Sequence, residues 1–189
     1  MKIVADDAEL VSRCKRELPY RHLAFEQLVM RHQNRVYTLC YRMVGNAAAA
    51  EDLTQEVFTK VFLNLNSFEE RSAFSSWLYR IAHNHSLNFL DKRKRESEGM
   101  SAYAEERDAR RLERSPEKLP AYMQRILDEL SEEQRSILIL KYVLELELAE
   151  VAQVLEVTVG AVKMRLLRAR EAFRRLHQEQ ASVGTEWKG

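Results

Sequence analysis

Apolar positions recur along this chain at intervals of three and four, the spacing that lines one face of an α-helix. A first helix carries Leu10 and Val11, is capped by Asp6 or Asp7, and stops before Pro19. A second runs from about His22 to Val44 on the seam Phe25, Leu28, Val29, His32, Val36, Leu39, Cys40 and Met43, with Gly45 as its C-cap. On that seam His32 reads as a packed histidine and not as a ligand. Asn46 caps a third helix that reaches about Leu65, its apolar half made of Leu53, Val57, Phe58, Val61, Phe62 and Leu65. The rhythm breaks into a loop at residues 66–74. It resumes in a helix opened by Ser75 or Ser76, running from Trp77 to about Arg95, with Leu78, Ile81, Ala82, His85 and Phe89 inward. From Glu96 to about Leu119 it is lost again. That charged stretch, with Gly99 and Pro116 and a transient helix near Glu105–Arg114, can bury almost nothing and reads as a linker.

Four helices follow Pro120. Tyr122, Ile126, Leu127 and Leu130 define one, and a capping box at Ser131–Gln134 opens the next, through Ile137, Leu138 and Leu140. A short helix holds Leu148, Val151, Ala152 and Leu155. After a break at Glu156-Val157-Thr158, with Thr158 as N-cap, the last helix buries Val162, Leu166, Ala169 and Phe173. Its other face shows Lys163, Met164, Leu167 and Arg168, flanked by Arg165 and Arg170. Residues from His177 onward are polar and expected to fray. Two short helices joined by a tight turn, the second basic on its outer side, describe a helix-turn-helix whose second helix enters a DNA major groove. A solvated helical hairpin with a cationic face is the plainer alternative.

Composition narrows this picture. Five Gly and three Pro in 189 residues fit an all-α protein of one domain or two small ones. The formal net charge is only +1, but it is unevenly spread. Val159–Arg175 holds six Lys/Arg and one acid, Lys92-Arg93-Lys94-Arg95 is basic, and Asp128–Glu150 holds seven acids against Arg135 and Lys141. Local basic patches on a nearly neutral chain suit specific nucleic-acid contacts and not general polyanion binding. Cys14 and Cys40 lie far apart with no ligand-spaced neighbours, which points to a reducing, cytosolic compartment. No apolar run has the length of a membrane span, and the acidic start argues against a signal peptide.

Two further stretches carry candidate chemistry. On the third helix Asp52, Gln55, Glu56 and Thr59 share a polar half with Leu63 stranded among them. That pattern can dock a partner helix, although an ordinary solvated face explains it as simply. Around the loop and the fourth helix, Phe68, Phe74, Trp77 and Tyr79 alternate with Ser75, Arg80, His83 and Asn84. Aromatics among basic and amide groups can stack and pair with unstacked bases. Plain core packing is the competing reading of Trp77. His83 and His85 point different ways on a helix and cannot share a metal.

Several motifs now stand in order. Ala24-Phe25, Tyr41–Asn46, Ala50–Phe58, Phe74 and Trp77–Asn84 resemble the second conserved region of a bacterial sigma factor. Glu150-Val151-Ala152 and Val159–Arg170 resemble its fourth region. With only a charged linker between, the chain is similar to the compact extracytoplasmic-function group of the sigma-70 family. The resemblance implies two small helical domains, residues 1–95 and 120–176, joined by a linker at 96–119 and followed by a polar tail at 177–189. It implies a cytoplasmic RNA polymerase initiation subunit, with no enzymatic activity, cofactor or metal of its own. Asp52, Gln55, Glu56, Thr59 and Leu63 would dock on the clamp helices of the polymerase β′ subunit, and the β flap would be a further contact. Phe68, Phe74, Ser75, Trp77, Tyr79, Arg80, His83 and Asn84 would open the minus-10 promoter element and hold its non-template strand. Thr158, Lys163, Met164, Arg165, Leu167, Arg168 and Arg170 would meet the minus-35 element. The linker would thread towards the active centre. An anti-sigma factor, often a membrane protein, would mask both domains until a stress or envelope signal releases them. The chain itself would not insert in the membrane.

Some positions depart from the family pattern: Ser131 stands for a frequent Pro, Glu147 for Ser or Thr, Glu156 for Gly, Ala161 for Thr and Met164 for Ser. Met164 offers no hydrogen bond and suits apolar contact with a thymine methyl. The competing class is a free-standing helix-turn-helix repressor, which must dimerise to read paired half-sites. The N-terminal half has no sustained heptad seam for that. An enzyme would need a phosphate-binding Gly loop, a ligand cluster or a nucleophile–base pair, and none is visible.

Overall fold

The computed structural model describes residues 5–99 and 120–185, and these contain eight α-helices and no strand. The residues expected to form most of the linker, including the transient helix near 105–114, lie outside the described residues. The chain divides into two compact units, Met1–Pro116 and Glu117–Gly189.

In the first unit α1 (Asp7–Glu17) starts at Asp6, whose carboxylate accepts from the Glu9 N–H at 2.8 Å. Acids in its first turn and Lys15 and Arg16 in its last complement the helix dipole. Leu10, Val11 and Cys14 seat it on α2 (Leu23–Val44). Gly45 ends α2 in the left-handed region at φ 70°, where its N–H reaches the Tyr41 carbonyl, because only Gly adopts that cap without a Cβ clash. α2 packs against α1, α3 (Ala47–Asn64) and α4 (Phe74–Gly99), which explains why every side chain from Thr38 to Val44 is buried. Leu28, Val36, Leu39 and Met43 are fully enclosed, and truncating Leu28, Leu39 or Met43 to Ala costs about 2–5 kcal/mol if the site cannot collapse. Asn46 caps α3 through the Ala49 N–H at 2.8 Å. A short 3-10 turn, Leu65–Ser67, leads into the loop before α4. α4 starts at Phe74, three residues earlier than its apolar pattern suggests, and continues to Gly99.

Burial on α4 also corrects the sequence reading. The enclosed stripe is Phe74, Leu78, Tyr79, Ala82, His83 and Ser86, rotated away from the Ile81–His85–Phe89 side. α4 is gripped by α2 and α3 together, so a wide arc is covered, and polar-looking residues fall inside it. Ser86 is accommodated by donating to the Ala82 carbonyl at 2.9 Å. Buried beside it, Cys40 has its thiol pushed up to about 11 by desolvation, and buried Cys14 likewise, so both stay protonated.

The second unit stacks α5 (Ala121–Glu129), α6 (Glu132–Leu138), α7 (Leu148–Leu155) and α8 (Val159–Thr185). Ser131 and Gln134 form a reciprocal capping box on α6, as the sequence predicts. Arg135 closes the C-terminus of α5, donating to the carbonyls of Leu127 (2.8 Å), Asp128 (2.9 Å) and Leu130 (3.3 Å). After α6 the backbone widens into a π-turn, Ile139–Val143, that keeps Ile139, Leu140 and Val143 in the core. α8 does not stop at Leu176: it runs on through the first residues of the polar tail to Thr185. Gln180 joins it to Glu129 by a 2.9 Å hydrogen bond.

Candidate polymerase and nucleic-acid interfaces

The polar half of α3 forms one wall of an open groove. Asp52, Gln55, Glu56, Thr59 and Leu63 line it together with Lys60 and with His85 from α4, around a volume of about 520 Å³. All five residues singled out by sequence therefore share one surface, and Leu63 stands 74% exposed in it. Lys60 and His85 join them beyond the set the sequence singles out: Lys60 lies one turn past Glu56, and the apolar pattern of α4 points His85 inward. Lys60 Nζ lies 3.2 Å from His85 Nε2 and donates to it, while His85 Nδ1 lies 3.6 Å from the Glu56 carboxylate. Partial burial and the Lys60 charge hold this imidazole below its usual pKa, with Glu56 opposing. The groove thus offers two carboxylates, an amide and one bare aliphatic, chemistry suited to a helix with basic residues beside an apolar one.

Around the start of α4 the aromatic residues form a cluster of their own. The Phe68 and Trp77 ring centroids are 5.0 Å apart, and Phe74 lies 6.0 Å from each. His32 meets Phe74 and Tyr79 edge-on, and its Nε2 lies 2.8 Å from Asp7 Oδ2. His32 is therefore a packed histidine, and burial lowers its pKa despite Asp7. Phe68, Phe74, Tyr79 and His83 are buried, so in this conformation they build the platform and do not face solvent. Burial pushes the His83 pKa down, opposed by the Asn84 amide oxygen at 3.4 Å. Ser75, Trp77 and Arg80 are half-exposed and Asn84 exposed, leaving these four as the surface part of the set.

In the second unit the turn before α8 is tight. Glu156 takes the left-handed conformation at φ 53°, so the backbone shape a Gly would favour is adopted by a Glu at some strain. Glu147 opens α7, its N–H held by the Glu150 carboxylate at 2.8 Å. Thr158 Oγ1 accepts from the Ala161 N–H at 3.2 Å, fixing the direction of α8. Val162, Leu166, Ala169 and Ala172 face inward, and Lys163, Met164, Leu167 and Arg168 face out, with Met164 53% and Leu167 48% exposed. Two methyl-rich side chains between two cations, left bare in water, suit base edges better than they suit a solvated face. Arg165 differs from the rest: it pairs with Glu133 of α6 at 2.8 Å. Arg170 is exposed and, with Arg174, borders an apolar cavity of about 400 Å³ floored by Met123, Leu127, Leu138, Val143 and Phe173.

Comparison with known proteins places these surfaces in context. A sigma-70 region 2 family model matches residues 28–96, and a sigma-70 region 4 model matches residues 121–173. The chain is 36% identical over 169 residues to the ECF RNA polymerase sigma factor SigW of Bacillus subtilis, covering 80% of this chain and 88% of that relative. It is 34% identical over 179 residues to the RNA polymerase sigma-H factor of Pseudomonas aeruginosa, covering 88% and 91% respectively. Among solved structures it is similar to CnrH in complex with the cytosolic domain of CnrY, at a TM-score of 0.69 and 25% identity, over 90% of this chain and 96% of that one.

Proposed function

The chain belongs to the extracytoplasmic-function group of the sigma-70 family, and on that premise we propose how its surfaces divide the work of transcription initiation. The α3 groove docks the clamp helices of the polymerase β′ subunit, Asp52 and Glu56 meeting their cations and Leu63 an apolar residue. The apolar cavity of the second unit, bordered by Arg170 and Arg174, takes the β flap. The outer face of α8 reads the minus-35 element through Lys163, Met164, Leu167 and Arg168, while Thr158, Arg165 and Arg170 serve the backbone. Trp77, Ser75, Arg80 and Asn84 hold the opened non-template strand of the minus-10 element on the platform built by Phe68, Phe74, Tyr79 and His83. The polymerase supplies the chemistry, and this chain adds no enzymatic step or cofactor.

The observation that carries this reading is the α3 groove, which gathers Asp52, Gln55, Glu56, Thr59 and Leu63 on a region 2 frame. We also assign the chain to the cytoplasm. No helix among the described residues is long and apolar enough to cross a membrane. An anti-sigma factor that masks both units is the regulator of this reading, and the similar solved structure, CnrH in complex with the cytosolic domain of CnrY, supports control by a protein partner. The two helical units, matched by the region 2 and region 4 models, are the working domains of this reading.

The direct test mixes purified chain with bacterial core polymerase and a library of randomised promoters. Specific initiation that needs both components supports the reading. Dimeric binding to a palindromic duplex, with no effect on core polymerase, overturns it.

A further inference from the structure

The loop that carries Phe68 is held from outside the region 2 match. That match begins at residue 28, and α1 precedes it. From α1, Lys15 Nζ donates to the Phe68 carbonyl at 2.6 Å and to Glu70 Oε1 at 2.6 Å. The same ammonium sits 5.6 Å from the centroid of the Phe68 ring. Phe68 in turn carries Trp77 at 5.0 Å. Glu70 is one of only three non-Gly residues with positive φ among the described residues, at 58°. A loop with a strained residue at its tip needs something to fix it, and a side chain 53 positions away supplies both bonds.

We infer that Lys15 is a positioning residue for the minus-10 surface, anchoring the 68–70 turn so that Phe68 holds Trp77 at the angle required for an unpaired base. The inference rests on the proposed minus-10 role of Trp77. An exposed Lys–Glu pair alone stabilises little, because water screens it and two long side chains must be ordered. Lys15 is different in two respects. Its side chain is only 25% exposed, and its second acceptor is a backbone carbonyl, which fixes the chain itself. α1 is then more than a cover for α2: it sets the geometry of a loop that DNA would meet.

The test uses holoenzyme assembled from the full chain and core polymerase, with a fork-junction DNA probe whose unpaired minus-10 strand comes from a promoter selected by wild-type holoenzyme. Lys15→Met keeps a side chain of similar length and removes the charge and the donors. Fork-junction affinity should fall about tenfold, the effect of losing one charge-assisted hydrogen bond. Core affinity should stay at the wild-type value, and melting temperature should fall by no more than the few degrees that one lost hydrogen bond costs. Lys15→Arg should restore binding, since a guanidinium keeps the charge and has donors for both acceptors, and Glu70→Gln should cost less because the Phe68 carbonyl stays bound. Wild-type fork-junction binding by Lys15→Met, with Trp77→Ala defective, overturns the anchor and leaves the minus-10 reading standing. A silent Trp77→Ala overturns the minus-10 reading and the anchor with it. Parallel loss of core affinity, melting temperature and DNA binding in Lys15→Met, unrescued by Arg, shows a residue that merely supports the fold.

Discussion

Leu63→Ala tests the docking groove at its least ambiguous point. Leu63 is 74% exposed in the free chain, so it contributes little to folding and has most of its surface left to bury. Full burial of a Leu side chain is worth about 1.5–3 kcal/mol, and roughly three-quarters of that remains to be gained on docking, about 1–2 kcal/mol. Core polymerase affinity should therefore fall about five- to thirtyfold. Helix stability should hold or rise slightly, because Ala is the better helix former by a few tenths of a kcal/mol at most. The assay is competition of labelled wild-type chain against each variant for core polymerase, with melting followed in parallel. Salt separates this contact from its neighbours. Between about 0.1 M and about 0.5 M salt the effect of reversing Asp52 and Glu56 to Lys should shrink as the charges are screened, while the Leu63→Ala deficit persists. Unchanged affinity for Leu63→Ala, with the charge reversals also silent, would place polymerase docking elsewhere on the chain.

Arg168→Ala should cost about 1–3 kcal/mol of discrimination at one base pair of the minus-35 element, whereas Arg170→Ala should weaken all sequences alike and flatten the salt slope by about one unit. Affinities on a panel of single-base promoter variants at two salt concentrations separate the two, and full preference retained in Arg168→Ala would put the reading face on another side of α8. Glu133→Gln should release Arg165 from its 2.8 Å partner and tighten DNA binding by up to about fivefold, the most an exposed ion pair usually withholds; no gain would mean that Arg165 does not approach the phosphates. Burial holds the His83 pKa below 6.5, so below that pH the unfolded chain takes up a proton that the folded chain refuses. Stability is therefore full above about pH 6.5 and falls as the pH drops below it, with His32 and His85 shifting in the same direction. His83→Gln should flatten the loss of melting temperature on acidification from about pH 7.5 to about pH 5.5, and an unchanged slope would mean that His83 titrates normally.

The sequence determined the helices and most of their ends, because those depend on neighbours in the chain. Asp6, Asn46, Ser131 and Thr158 cap through hydrogen bonds three residues long, and Gly45 terminates α2 by its own backbone freedom. The outward set on α8 was legible for the same reason: a helix of known phase with one clean apolar stripe leaves its other face in no doubt. The α3 groove was half legible. Its five residues share a wheel sector, but the opposite wall, His85, comes from α4, 22 to 33 positions on, and the apolar pattern of α4 points it inward. Tertiary structure alone decided which residues of α4 are enclosed. Two neighbouring helices cover a wide arc of it, which encloses Tyr79, His83 and Ser86, and local partners such as the Ala82 carbonyl for Ser86 make that burial tolerable. It alone tied Arg165 to Glu133, carried α8 past the point where its polar residues suggest fraying, and set Lys15 against Phe68. These last contacts join residues far apart in the chain, and they form only once the helices have packed.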